Sequence, residues 1–125
     1  MNREIKFRGY NYQYEKWFYG SLFIQNYDND FMLSSSRTMI IDDKGYSVMV
    51  DNGTIGEYTG LKDKNGVEIY EGDLVEYKDS IGKHIEEVKF DKGCFYAGLH
   101  GGSSTRVSPK LINTRISKVI GNIYE

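Results

Sequence analysis

Two histidines and one cysteine are the residues of this chain best suited to chemistry. His84 and His100 lie sixteen positions apart, on either side of Cys94. A zinc site built on the three would need a fourth ligand or an open coordination position, and the spacing matches no zinc module. A Cys94–His84 or Cys94–His100 nucleophile pair would need a thiol of lowered pKa in an accessible, electropositive pocket. Cys94 opens the apolar run Cys94-Phe-Tyr-Ala97, which predicts a small buried core residue instead. Carboxylates crowd the middle of the chain: Asp63, Glu68, Glu71, Asp73, Glu76, Glu86 and Glu87. Hydrolysis of the glycosidase kind needs two of them in one cleft with separated pKa values. Most fall in turns or on the polar phase of strands, where solvation explains them, and Asp73 is expected to fix the turn after Gly72 through its own backbone.

Two further stretches could hold an anion. His100-Gly-Gly-Ser-Ser-Thr-Arg106 is a Gly/Ser-rich loop ending in a cation, and its backbone N–H groups could face a phosphate. It lacks the strand, lysine and helix of a P-loop, and a plain loop is the better reading. Arg106, Lys110, Arg115 and Lys118 form the best basic patch. Small barrels bind nucleic acid by joining such charge to aromatic rings on which bases stack; Phe95, Tyr96 and Tyr124 are the candidates. A solvated face or a subunit contact explains the patch equally simply.

The elements that would position these groups are strands. The chain has 125 residues, with 14 Gly, 11 Tyr and 1 Pro. That length fits one domain, or one with a small appendage, and the composition favours short strands joined by turns. A single cysteine excludes an intramolecular disulfide framework. No apolar stretch has the length of a signal peptide or membrane span, so a cytoplasmic protein is expected, with no membrane partner. The formal net charge is −2, against a generic nucleic-acid coat. Residues 51–100 carry six basic and eleven acidic side chains, whereas residues 101–125 carry four basic and one acidic. That asymmetry suits a partner surface or end-to-end pairing of subunits.

The segment Ile5–Tyr10 alternates apolar and polar residues, and Lys16–Ile24 reads as its hairpin partner, with nine aromatics between Phe7 and Tyr27. Tyr10, Tyr12 and Tyr14 share one strand phase if the strand runs that far, and Trp17 and Tyr19 share another. Two aromatic faces cannot both be buried in a two-stranded ribbon, and an isolated hairpin is marginal in water. The ribbon must therefore dock on the barrel or on a neighbouring subunit, and these five residues are the expected homo-oligomer interface. Residues 26–30 read as a loop, and 34–37 as a polar stretch without assignment. Asn65-Gly66 predicts a type I′ hairpin turn, with φ > 0 at both positions. Strands are expected at 67–70, 74–78, 85–90, 94–97 and 118–124, with one helical turn at Leu111-Ile112.

Three segments carry a family resemblance. Arg3-Glu-Ile-Lys-Phe-Arg8, Tyr58-Thr-Gly-Leu-Lys-Asp-Lys-Asn-Gly-Val-Glu-Ile-Tyr-Glu-Gly-Asp-Leu-Val75 and Val119-Ile-Gly-Asn-Ile-Tyr-Glu125 resemble the YopX family in order and spacing. The resemblance implies a small, β-rich, self-associating protein carried by phages and prophages, mainly of Gram-positive hosts. It implies no biochemical activity and supplies no catalytic residues. The family usually has a small residue and then Trp after Phe-Arg; here these are Gly9 and Tyr10, with Trp17 further on.

The expectation is a mainly β protein. Residues 1–57 form an N-terminal β-hairpin and irregular segment used for oligomerisation, and residues 58–125 an SH3-like small β-barrel. Its function is that of a phage or prophage accessory protein, non-enzymatic, self-assembling and cytoplasmic in the bacterial host, with no metal or cofactor. Its partners are further copies of itself, and also nucleic acid or a host or phage protein. The alternatives are a nucleic-acid-binding small barrel and, last, a small hydrolase.

Overall fold

The computed structural model describes residues 4–29, 32–91, 93–99 and 114–125. The fold is mainly β, with ten strands in two antiparallel sheets and a single 3₁₀ turn among these residues. The chain divides into two compact units, Met1–Glu57 and Tyr58–Glu125.

The first unit is built on β1 (Phe7–Asn11), β2 (Lys16–Asn29), β3 (Met32–Ile41) and β4 (Ser47–Met49). They lie in the order β4-β3-β2-β1, and the first residues of β5 (Gly56–Lys62) pair with β1. β2 is far longer than the sequence pattern suggests. Its first part pairs with β1, Phe7 opposite Gly20 through Asn11 opposite Lys16, and its second part pairs with β3. Residues 26–29 and 34–37, read as loop and unassigned, are strand. Their polar composition hides the signal, because cross-strand backbone pairing needs no apolar alternation.

Gly20 is where β2 changes partner. Its φ is +154°, and a Cβ built there would lie 2.0 Å from the Ile41 carbonyl oxygen. Only glycine lets the two backbones approach so closely. Gly9 is small for a different reason: a Cβ there would sit 2.5 Å from Val50 Cγ2. Around it the 3₁₀ turn Asn52–Thr54 is pinned to β1. The Asp51 N–H donates to the Tyr10 carbonyl at 2.8 Å, and the Tyr10 N–H donates to Thr54 Oγ1 at 2.9 Å. Ile40, Val50 and Thr54 are buried here, and so is Arg8.

In the second unit β5 pairs with β6 (Glu68–Tyr70), and β7 (Asp73–Lys78), β8 (Lys83–Asp91), β9 (Cys94–Leu99) and β10 (Lys118–Asn122) form a sheet in the order β10-β7-β8-β9. Its core is Ile69, Val75, Val88 and Ala97, with Val119 packed against them. Pairing among the described residues does not close into a barrel, so the architecture stands as mainly β with antiparallel sheets.

Asp63 organises the block 58–75. It is 6 % exposed, and its carboxylate accepts three backbone N–H bonds. Oδ1 takes Asn65 at 2.8 Å and Val67 at 2.9 Å, and Oδ2 takes Val119 at 2.9 Å. The turn is therefore not type I′. Gly66 has φ +82° but Asn65 does not have positive φ, and the Gly66 N–H closes on the Asp63 carbonyl at 3.0 Å. That is a type I turn followed by a left-handed glycine, favoured because the Asp63 side chain caps the loop from inside. Burial pushes the Asp63 carboxyl up, but the Val119, Val67 and Asn65 amides, with the charge of Lys64, outweigh it and hold it below its ordinary value. The Lys64 N–H donates to the Ser117 carbonyl at 3.1 Å, and that of Ile123 to Gly72 at 2.9 Å. The central block and the chain ending are thus tied by backbone bonds, and their sequence specificity is explained by folding.

Candidate assembly surface

Side chains of residues paired across an antiparallel ladder project to the same face, and neighbours along a strand to opposite faces. Tyr10 is opposite Trp17, and Arg8 opposite Tyr19. The Tyr10 and Trp17 rings meet edge to face at 5.3 Å, and the buried Arg8 guanidinium lies 4.6 Å over the Trp17 ring. Such contacts add about 0.5–1 kcal/mol each where exposed. Phe23, Met39 and Met49 make one row across β2, β3 and β4. Phe23 is 47 % exposed, Met49 49 % and Tyr19 47 %. The alternate row, Leu22, Ile40 and Val48, faces the other side, where Ile40 is fully buried.

The five aromatics singled out from sequence do not form one set. β1 ends at Asn11, so Tyr12 and Tyr14 belong to the turn and not to a strand phase. Asn11 Oδ1 accepts the Tyr14 N–H at 2.8 Å and its Nδ2 donates to the Met49 carbonyl at 2.7 Å, while Glu15 takes the left-handed φ of 54° that closes the turn. Tyr12 packs on Tyr10 with ring centroids 4.9 Å apart; Tyr14 turns instead to Phe18, at 6.2 Å. Sequence reasoning missed Phe23, Met39 and Met49, because the register that aligns them depends on a hairpin arm it read as irregular.

The residues with catalytic potential are scattered and structurally committed. Cys94 is exposed, not buried, and its thiol points to the Asp91 carbonyl at 3.6 Å. The β8–β9 hairpin places it at the strand start, on the phase opposite the buried Val88–Ala97 pair. His84 Nε2 is 2.9 Å from Asp79 Oδ1 and its ring stacks on Tyr77 at 4.9 Å. The His84 bond, with the Ile81 amide, holds the Asp79 carboxyl below its ordinary value. Asp73 Oδ2 accepts the Tyr70 N–H at 2.7 Å, as a turn-fixing role requires. Asp73 and Glu86 are buried, against the expectation of solvation, and Glu86 Oε1 accepts from Tyr77 Oη at 3.0 Å. Glu76 and Glu87 pair with Lys83 and Lys89, and Glu68 Oε1 accepts from Tyr70 Oη at 3.4 Å. Glu71 is half-buried in the turn before β7. No group of three or more His, Cys, Asp or Glu is placed to hold a metal among the described residues. Of the basic patch, Arg115 and Lys118 are exposed; Arg106 and Lys110 lie outside the described residues, as do His100, the loop to Arg106 and the turn expected at Leu111-Ile112. No helix of the described residues is long and apolar enough to cross a membrane.

Comparison with known proteins bears on the fold and the family. No curated protein matches the chain. Among solved structures it is similar to protein EF1440 from Enterococcus faecalis, with 22 % identity, a TM-score of 0.51, and coverage of 97 % of this chain and 94 % of that one. At that identity the likeness supports the fold alone. The family model described as YopX protein matches residues 6–125. Over nearly its whole length, the chain belongs to the YopX family.

Proposed function

We propose that this chain is a non-enzymatic phage or prophage accessory protein that assembles with copies of itself through the exposed face of its first unit. Tyr19, Phe23 and Met49 would lie at the contact, with Tyr10, Trp17 and Tyr12 shaping it. The observation that carries the reading is the Phe23–Met39–Met49 row, an apolar strip left half in water on the face opposite the buried Ile40. Aromatics and methionine at such exposure are what interface cores are made of. The phage origin and the bacterial cytoplasm follow the family resemblance. We also read the second unit as an SH3-like barrel: the β5–β6 hairpin and the bulged β10 supply the sharp bends such a barrel uses. The test of assembly is the solution mass of Trp17→Ala and Tyr19→Ala chains. Smaller species are expected; unchanged oligomers would overturn the surface.

A second reading is nucleic-acid binding through the tail cations. Arg115 and Lys118, exposed beside β10, favour it. Binding of a mixed-sequence single-stranded oligonucleotide should fall steeply with salt as counterions are released, and Arg115→Glu with Lys118→Glu should weaken it. Unchanged affinity would rule out this patch.

A further inference from the structure

On the opposite face of the same sheet lies a groove of about 290 Å³, walled by Tyr14, Phe18 and Tyr46, floored by Ile40, with Lys16 and Asp42 at its rim. We infer that this groove is an aromatic cage for an organic cation, an alkylammonium or guanidinium group, and that Lys16 is its resident competitor.

Three observations support it. Three aromatic residues line one cavity, and ring faces carry negative charge that attracts cations. One ring already holds a cation: Lys16 Nζ lies 5.4 Å from the centroid of Phe18. Lys16 makes no ion pair among the described residues, so the ring contact is its contact. Finally, Asp42 is the one carboxylate that lines the groove, set against the one ammonium, that of Lys16. A carboxylate beside a cage favours a cation and opposes the phosphates of a nucleic acid.

The backbone that carries two of the walls is set before any ligand arrives. Asp42 Oδ1 accepts the Lys44 and Tyr46 N–H groups at 3.0 and 2.9 Å, and the Asp42 N–H donates to the Tyr46 carbonyl at 2.9 Å, so one turn fixes both the carboxylate and the Tyr46 backbone. The Asn11 bond fixes the backbone of Tyr14. A fixed backbone at the walls reduces the ordering cost of binding.

The inference does not depend on self-assembly, because the groove and the assembly surface face opposite ways. The test is a titration of the full chain with tetramethylammonium and with butylguanidinium at constant ionic strength, set by sodium chloride. The readout is the ring proton resonances of Tyr14, Phe18 and Tyr46. Saturable shifts at these rings are expected. Lys16→Met should bind about two- to fivefold tighter, the gain from removing one exposed cation–π competitor. Tyr46→Ala, at an exposed position, should abolish the shifts without loss of fold. No saturation, weaker binding by Lys16→Met, or saturation by benzoate in place of the cations would overturn the cage.

Discussion

Replacing Asp63 should loosen the second unit by an amount that its hydrogen bonds define. The carboxylate accepts three backbone amides at 2.8–2.9 Å from a site 6 % exposed. A hydrogen bond to a charged group contributes about 1.5–3 kcal/mol, and a buried donor left unpaired costs about 1–3 kcal/mol. Asp63→Asn keeps the Oδ1 acceptor for Asn65 and Val67 but turns an NH₂ group toward the Val119 N–H. One bond is lost and two donors face each other, so a loss of about 2–3 kcal/mol is expected. Asp63→Ala removes all three; partial hydration of the freed amides limits the loss to about 3–5 kcal/mol. Against a typical domain stability of about 5–15 kcal/mol, the alanine chain is close to unfolding. Urea titration should follow the Val119 amide resonance, because Trp17 fluorescence reports the first unit. The carboxyl is held below its ordinary value, so its share of stability is complete above that ordinary value and disappears as pH falls through the lower folded value. The gap between wild type and Asp63→Asn should therefore shrink below about pH 4. A loss under 0.5 kcal/mol for Asp63→Ala, or a gap independent of acid, would refute the latch.

Two further outcomes follow from the geometry. Gly20→Ala brings a methyl group 2.0 Å from the Ile41 carbonyl oxygen, and should destabilise the first unit by about 1–3 kcal/mol, read from Trp17 fluorescence in urea; a neutral change would mean that β2 and β3 do not approach so closely. Cys94, exposed at the start of β9, should react with a water-soluble thiol reagent in the native chain as fast as a free thiol peptide, without loss of circular dichroism; protection would contradict its placement.

What the sequence made readable was local. Asn65-Gly66 marked a turn, Leu74–Lys78 and Lys118–Tyr124 read as strands, the latter ending at Asn122 in the structure, and the three quoted segments pointed to the family. The turn type was wrong because the Asp63 side chain caps the loop through the Asn65 and Val67 amides, which the Asn-Gly pair alone does not reveal; its third partner, Val119, lies 56 residues away. Asp73 was read correctly because its partner, Tyr70, is three residues away. The hairpin arm of β2 and β3 was missed because its middle is polar and its pairing is made by backbone groups. Cys94 was misjudged for a related reason: an apolar run of four does not say which phase is buried. The proposed assembly surface was half legible. Tyr10, Trp17 and Tyr19 were named, but their neighbours Phe23 and Met49 depend on register, and Tyr14 lies at a groove on the other face.

The central claim is that the exposed row of the first unit joins copies of the chain. Absolute mass by light scattering, over a range of concentrations, tests it most directly when wild type is run beside a Phe23→Lys, Met49→Lys double variant. Wild type should give a closed multiple of 14.4 kDa, and the double variant a 14.4 kDa monomer with unchanged circular dichroism. A monomeric wild type at every concentration, or a double variant of undiminished mass, would contradict the account.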